Sequence, residues 1–313
     1  MASARRYFFI AVVLLGAWMI PQRMASLRPN YYDETCPGVE DVVRGVVAEK
    51  IKESFDAVPK LIHFYFQDCF LDGCSASILV RTPITNPAVA TVVKAKAVID
   101  SKPGCKNKVS CADIFTMAVR DAIYLAGGPY YKVELGRFDS LVLTNLNKTA
   151  PDLSFNLDQL TDMFAQRNIN QKDMIALFGT HSVGHAHCDK FSNRIYNYSN
   201  SSPVDPTLNP QYAKRLQAEC PVNVDPSVEV WLDPVTPQVF DNVYYQNLVK
   251  GMGLLGVDDR LFTDIRSMPV VVDFAQNAQH FNDAFSHAMV KLGRVGVMSS
   301  NDGNIRHVCN VFN

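Results

Sequence analysis

Eight cysteines stand behind an apolar leader, and that pairing of features constrains the fold of this chain more than any other. An even cysteine count in a chain sent to an oxidising compartment reads as four disulfides, although the count leaves their connectivity open. Arg5-Arg6 precede an apolar run from Tyr7 to Ile20, followed by Pro21-Gln-Arg-Met-Ala25-Ser26. As a helix that run would span roughly 21 Å at about 1.5 Å per residue, short of the roughly 30 Å bilayer core. A secretory signal over residues 1–25, cleaved near Ala25 or Ser26, is therefore expected rather than a membrane anchor. Sequons at Asn147, Asn197 and Asn200 agree with that route.

Residues 26–313 read as one domain, long enough to bury a large core. The formal net charge of −1 gives nucleic-acid binding no electrostatic footing, and no later stretch is long and apolar enough to span a membrane. Helical periodicity dominates. Val39, Val42, Val43, Val46, Val47 and Ile51 recur at three- and four-residue spacing, as do Leu157, Leu160, Met163 and Phe164, and Tyr244, Tyr245, Leu248 and Val249. Phe274, Ala278, Phe281, Phe285, Met289 and Leu292 continue the pattern up to Gly293, placed as a C-terminal stop. Pro/Asn/Ser-rich stretches at 145–151 and 197–210 read as surface loops. The fold class is all-α.

Two runs carry candidate chemistry. In Ala176-Leu-Phe-Gly-Thr-His181-Ser182-Val-Gly-His185-Ala-His187-Cys188, an apolar helical stretch from Asp173 to Phe178 ends beside a glycine and a histidine. A neutral imidazole projected from such a helix into a closed pocket ligates iron well. On the residues alone, a buried histidine satisfied by backbone remains an alternative. Zinc is a third reading, because His181, His185, His187 and Cys188 lie close together, but Cys188 is needed for the disulfide count. The second run, Asp233-Pro-Val-Thr236-Pro-Gln-Val239-Phe-Asp241, offers two carboxylates, a hydroxyl and a carbonyl within nine residues. Oxygen ligands at that density suit Ca²⁺, with an ion-free Asx/Thr turn as the alternative.

Further motifs stand in order along the chain: Tyr31-Tyr-Asp-Glu-Thr-Cys36-Pro, Asp68-Cys69-Phe, Gly73-Cys74, Val109-Ser-Cys111-Ala-Asp113-Ile, Gly136-Arg137-Phe-Asp-Ser, Phe240-Asp241-Asn-Val-Tyr-Tyr and Ile305-Arg-His-Val-Cys309. Together with the His181 run they resemble the secreted, haem-dependent plant peroxidases of the guaiacol-oxidising type (class III), over nearly everything from Tyr31 to Asn313. The resemblance implies haem b sandwiched between two helical halves, with His181 as its proximal ligand and Phe66 beside it. It implies disulfides Cys36–Cys105, Cys69–Cys74, Cys111–Cys309 and Cys188–Cys220, and a buried Asp113–Arg137 ion pair. Hydrogen peroxide and small phenolic donors would be the substrates, with Pro151 at the donor channel, and the protein would act as an extracellular monomer in the cell wall or apoplast. An aspartate is also implied as acceptor of the proximal histidine's second N–H; a gap-free register puts that role near Met268, where the nearest carboxylate is Asp264.

Two sites depart from the family pattern. His63-Phe-Tyr-Phe-Gln67-Asp68 corresponds to the oxygen-activating face, but Gln67 and His63 stand where the family has a histidine and an arginine one helical turn apart. A glutamine amide cannot shuttle a proton near neutral pH, so reaction with peroxide is expected to be severely slowed. His63 shares the face of Gln67 and is a candidate displaced base. A catalytically silent haem- or calcium-binding wall protein, with or without haem retained, is the competing class. For calcium, Ser182, Asp233, Thr236, Val239 and Asp241 match the family's proximal site, with Ser182 where threonine is usual. At the distal site Asp68, the carbonyls of Leu71 and Gly73, and Ser77 match, but Ser75 replaces an aspartate. The chain is also short between Arg81 and Val93, where the family has a glutamate. Weak or absent distal calcium is expected.

Overall fold

A computed structural model describes residues 27–143, 150–298, 300 and 302–313. The leader and the Asn147 sequon lie outside the described residues; Asn197 and Asn200 are exposed. The valine stripe predicted from residue 39 becomes α1 (Val39–Glu53), with Glu40 and Asp41 in its first turn and Lys50 and Lys52 in its last, as the helix dipole favours. It packs with α2 (Ala57–Gln67), α4 (Pro87–Ser101) and α5 (Cys111–Leu125), while α3 (Ile78–Arg81) is a single turn beside them. This is one helical half.

The other half follows in sequence. Asn156 and Gln159 form a reciprocal capping box at the start of α6 (Leu157–Ala165), and Asn170 caps α7 (Gln171–Phe178). Short α8 (Ser192–Ile195) and α9 (Pro210–Glu219) lead to α10 (Val243–Val249), α11 (Gly256–Thr263), α12 (Met268–Gln276) and α13 (Ala278–Leu292). The run read as continuous from Phe274 to Leu292 is two helices. Asn277 adopts an extended conformation between them and its side chain accepts the backbone N–H of Gln279 and His280. Gly293 does end α13, in a right-handed conformation. Its missing side chain matters for another reason: a Cβ there would lie 2.7 Å from an Arg137 guanidinium nitrogen.

Among the described residues, strand is confined to two short antiparallel pairs: β1 (Asp139–Ser140) with β4 (Gly303–Asn304), and β2 (His185–His187) with β3 (Glu229–Trp231). The four disulfides Cys36–Cys105, Cys69–Cys74, Cys111–Cys309 and Cys188–Cys220 are bonded. Asp113 and Arg137 are both buried and pair at 3.0 Å, and Arg137 Nε also donates to the Gly293 carbonyl at 3.0 Å, tying α5 to the end of α13. No helix among the described residues is long and apolar enough to cross a membrane. The result is an all-α fold of two helical halves with a cavity between them.

Candidate active site

The cavity measures about 500 Å³ and is lined by α2 on one wall and by the end of α7 and the segment after it on the other. On α2, Val58, Leu61, Ile62 and Tyr65 are buried in the helical core. The next face of the same helix turns His63, Phe66 and Gln67 to the cavity. Four residues is one helical turn, so His63 and Gln67 meet: Gln67 Nε2 lies 3.1 Å from His63 Nε2. With the amide nitrogen as donor, the imidazole lone pair is its acceptor. Desolvation by the cavity walls pushes the His63 pKa down, although the residue keeps an exposed side, and the charge of Lys60 adds to that, which favours the neutral ring. Phe66 stacks on Phe70 at 4.9 Å between ring centres, which fixes its place on the wall.

Across the cavity, α7 tightens at Gly179 into a 3₁₀ turn, Gly179–Ser182, which carries His181. Phe178 meets the His181 ring edge-on at 5.5 Å. His181 Nδ1 lies 2.7 Å from Asp258 Oδ1, which leaves Nε2 as the nitrogen available to a ligand. Asp258 is buried in the first turn of α11 and also accepts the Tyr244 hydroxyl at 2.8 Å and the Leu255 N–H at 3.1 Å. The expected Asp264 is corrected by this geometry. Asp264 follows α11, where Arg266 holds it at 2.7 Å and lowers its pKa to about 2. The zinc alternative fails for a similar reason, since Cys188 is bonded to Cys220 and supplies no thiolate.

The cavity mouth is formed by Pro59, Pro151, Lys190 and the β2–β3 ribbon. Gly184 has φ +98°, and a Cβ there would lie 2.9 Å from Pro59, so only glycine lets the two walls approach here. His185 stacks on Trp231 at 3.6 Å between ring centres, and His187 meets Glu229 at 3.1 Å. A large flat apolar group with one coordinating position fits this cavity: Phe66, Phe164, Leu177, Phe178 and Leu232 line it, and His181 offers a fixed imidazole.

Beside the His181 turn, Ser182 Oγ donates to the Val239 carbonyl at 2.9 Å and accepts the Asp241 N–H at 3.0 Å. Thr236 Oγ1 lies 3.4 Å from Asp233 Oδ2 and 3.2 Å from Asp241 Oδ1. Burial raises the Asp241 pKa, and the negative Asp233 adds to it. Asn247 Nδ2 donates to Asp233 at 2.9 Å, while Asn247 Oδ1 is buried with no partner among the described residues. Two carboxylates, two hydroxyls and a carbonyl thus converge, a donor set that fits Ca²⁺. The positions Asp68, Leu71, Gly73, Ser75 and Ser77 do not make an equivalent set. Asp68 is the one carboxylate among them, against two at the other set, and its oxygens accept the Ala76 N–H at 2.8 Å and the Ile78 N–H at 3.1 Å.

A family model described as Peroxidase matches residues 43–277. The chain is 48% identical over 305 residues to Peroxidase 51 of Arabidopsis thaliana, covering 92% of this chain and 93% of that one. It is 46% identical over 327 residues to Peroxidase 73 of the same plant, covering 98% and 99%. Peroxidase 50, also from Arabidopsis thaliana, is 47% identical over 92% of this chain and 93% of its own length. With its two helical halves, its cavity and its four disulfides, this chain belongs to the plant peroxidase family.

Proposed function

We propose that this protein is a secreted peroxidase that binds haem b through His181 and oxidises small phenolic donors with hydrogen peroxide, its peroxide step slowed by the Gln67–His63 pair. The observation that carries this reading is the 3.1 Å contact between those two side chains, on the cavity wall facing His181. Bound haem supplies the redox-active iron and the porphyrin edge at which donors are oxidised. Asp258 holds the Nδ1 hydrogen of His181, selecting the tautomer whose Nε2 is the ligand. Pro151 at the mouth is where a flat phenol would enter. One calcium ion, held by Ser182, Asp233, Thr236, Val239 and Asp241, would brace the turn that carries His181.

Peroxide activation needs a base that moves a proton from one oxygen to the other and a positive charge facing the departing oxygen. Gln67 supplies neither. His63 is neutral and therefore basic, but its Nε2 lone pair accepts from the Gln67 amide, and a neutral ring gives no permanent charge. A positioned base contributes about 10²–10⁴ in rate. The residual reaction should depend on His63, and it should fall with acid only below the usual histidine range, because the lowered pKa keeps the ring neutral until then.

Stopped-flow haem spectra with peroxide, alongside guaiacol turnover by purified haem-loaded protein, test the reading. His63→Arg with Gln67→His should raise the peroxide rate by about 10²-fold or more; a double variant no faster than the parent refutes the assignment. The occupied lone pair of His63 also favours a second reading, a catalytically silent haem- and calcium-binding extracellular protein. Turnover no better than that of free haem, with His63→Ala unchanged, would select it.

A further inference from the structure

We propose that the segment from Asp68 to Arg81 is held in place by an internal guanidinium–carboxylate clamp, Arg81 on Asp72, in place of a second calcium ion. The segment begins where α2 ends, one residue beyond Gln67, so whatever fixes it also fixes that wall of the cavity.

Three side chains that would have to face a cation, Asp68, Ser75 and Ser77, already have partners within the protein. Asp68 takes two backbone N–H groups, as described, and is buried. Ser75 is fully buried, carries no charge, and turns its hydroxyl to the Asp72 carbonyl at 3.4 Å. Ser77 Oγ donates to Asp72 Oδ2 at 3.0 Å, and Arg81 Nη2 reaches the same oxygen at 2.9 Å. The Asp72 side chain is 1% exposed, so its charge has little water to answer it and the guanidinium does so instead.

A second guanidinium sits against the same segment. Arg306 is fully buried, and its Nη2 donates to the Ala76 carbonyl at 2.7 Å. Its charge is answered by Asp139 and Asp68, and its Nε and Nη1 find no acceptor among the described residues. A dication placed at Asp68 would face this buried positive charge, a repulsion that is little screened where water is excluded. Backbone packing closes the arrangement: Gly73 has φ +84°, and a Cβ there would lie 2.6 Å from the Gly296 carbonyl oxygen.

The test counts ions and measures stability in the purified holoprotein, neither of which depends on peroxide turnover, so it can fail independently of the reading above. After equilibration with excess calcium and buffer exchange, native mass spectrometry should find no more than one calcium per chain, and none in Asp241→Asn. Two ions per chain, or one retained in Asp241→Asn, overturns the proposal. Arg81→Gln should lower the thermal midpoint in EGTA by at least about 3 °C, and the charge-exchanged pair Asp72→Arg with Arg81→Asp should recover part of that loss. A midpoint unchanged by Arg81→Gln overturns the clamp.

Discussion

Asp258 and Asp264 differ in what surrounds them more than in chemistry. Asp264 lies in water against Arg266, whereas Asp258 is buried and accepts from His181, Tyr244 and Leu255. Asp258→Asn keeps the shape but removes the negative charge facing the imidazole, and a lost partner of this kind costs about 10- to 100-fold in metal-group affinity. We expect haem to leave Asp258→Asn that much more readily, followed by Soret absorbance during transfer to an acceptor protein. Asp264→Asn should behave as the parent. The misassignment had a readable cause. A gap-free register counts residues, while the buried stripe of Leu254, Val257 and Leu261 passes over Asp258 and marks it as the carboxylate drawn inside.

Among elements, the junction at Asn277 shows where periodicity misleads. Phe274, Ala278 and Phe281 keep three- and four-residue spacing across it, so an apolar pattern alone cannot report that the chain turns extended between α12 and α13. The cap is the better signal, since Asn277 satisfies the Gln279 and His280 N–H groups that open α13. Asn277→Ala should destabilise the protein by about 1 kcal/mol, read from the shift of a urea transition at unchanged slope. The stripes that became α1, α6 and α10 were legible because each buries one face. The meeting of His63 with Gln67 was legible too, since both lie on one helix. Asp72 and Arg81 were not, because they meet across an irregular segment with no period to follow and neither is a residue that a ligand search would single out.

For the whole molecule, the C-terminal tail is what closes the fold. Cys309 is bonded to Cys111 at the start of α5, 198 residues away. The Asp139 carboxylate gathers the N–H groups of Cys111, Ala112 and Arg306 at 3.1, 2.8 and 2.8 Å, binding β1, the N-terminus of α5 and the tail into one knot. By loop-closure entropy, the long bridge contributes roughly 5 kcal/mol and the short Cys69–Cys74 bridge roughly 2 kcal/mol. Replacing Cys111 and Cys309 by serine should therefore cost more in a guanidinium unfolding transition than replacing Cys69 and Cys74.

The tight β2–β3 ribbon has a practical outcome. The chain holds two tryptophans, Trp231 and Trp18, the latter within the segment expected to be removed as a secretory signal. A processed chain would therefore keep a single indole, Trp231, pressed on His185, which itself lines the cavity. Its fluorescence would be quenched by energy transfer to any porphyrin seated a few residues away, which gives the protein a label-free optical gauge of occupancy.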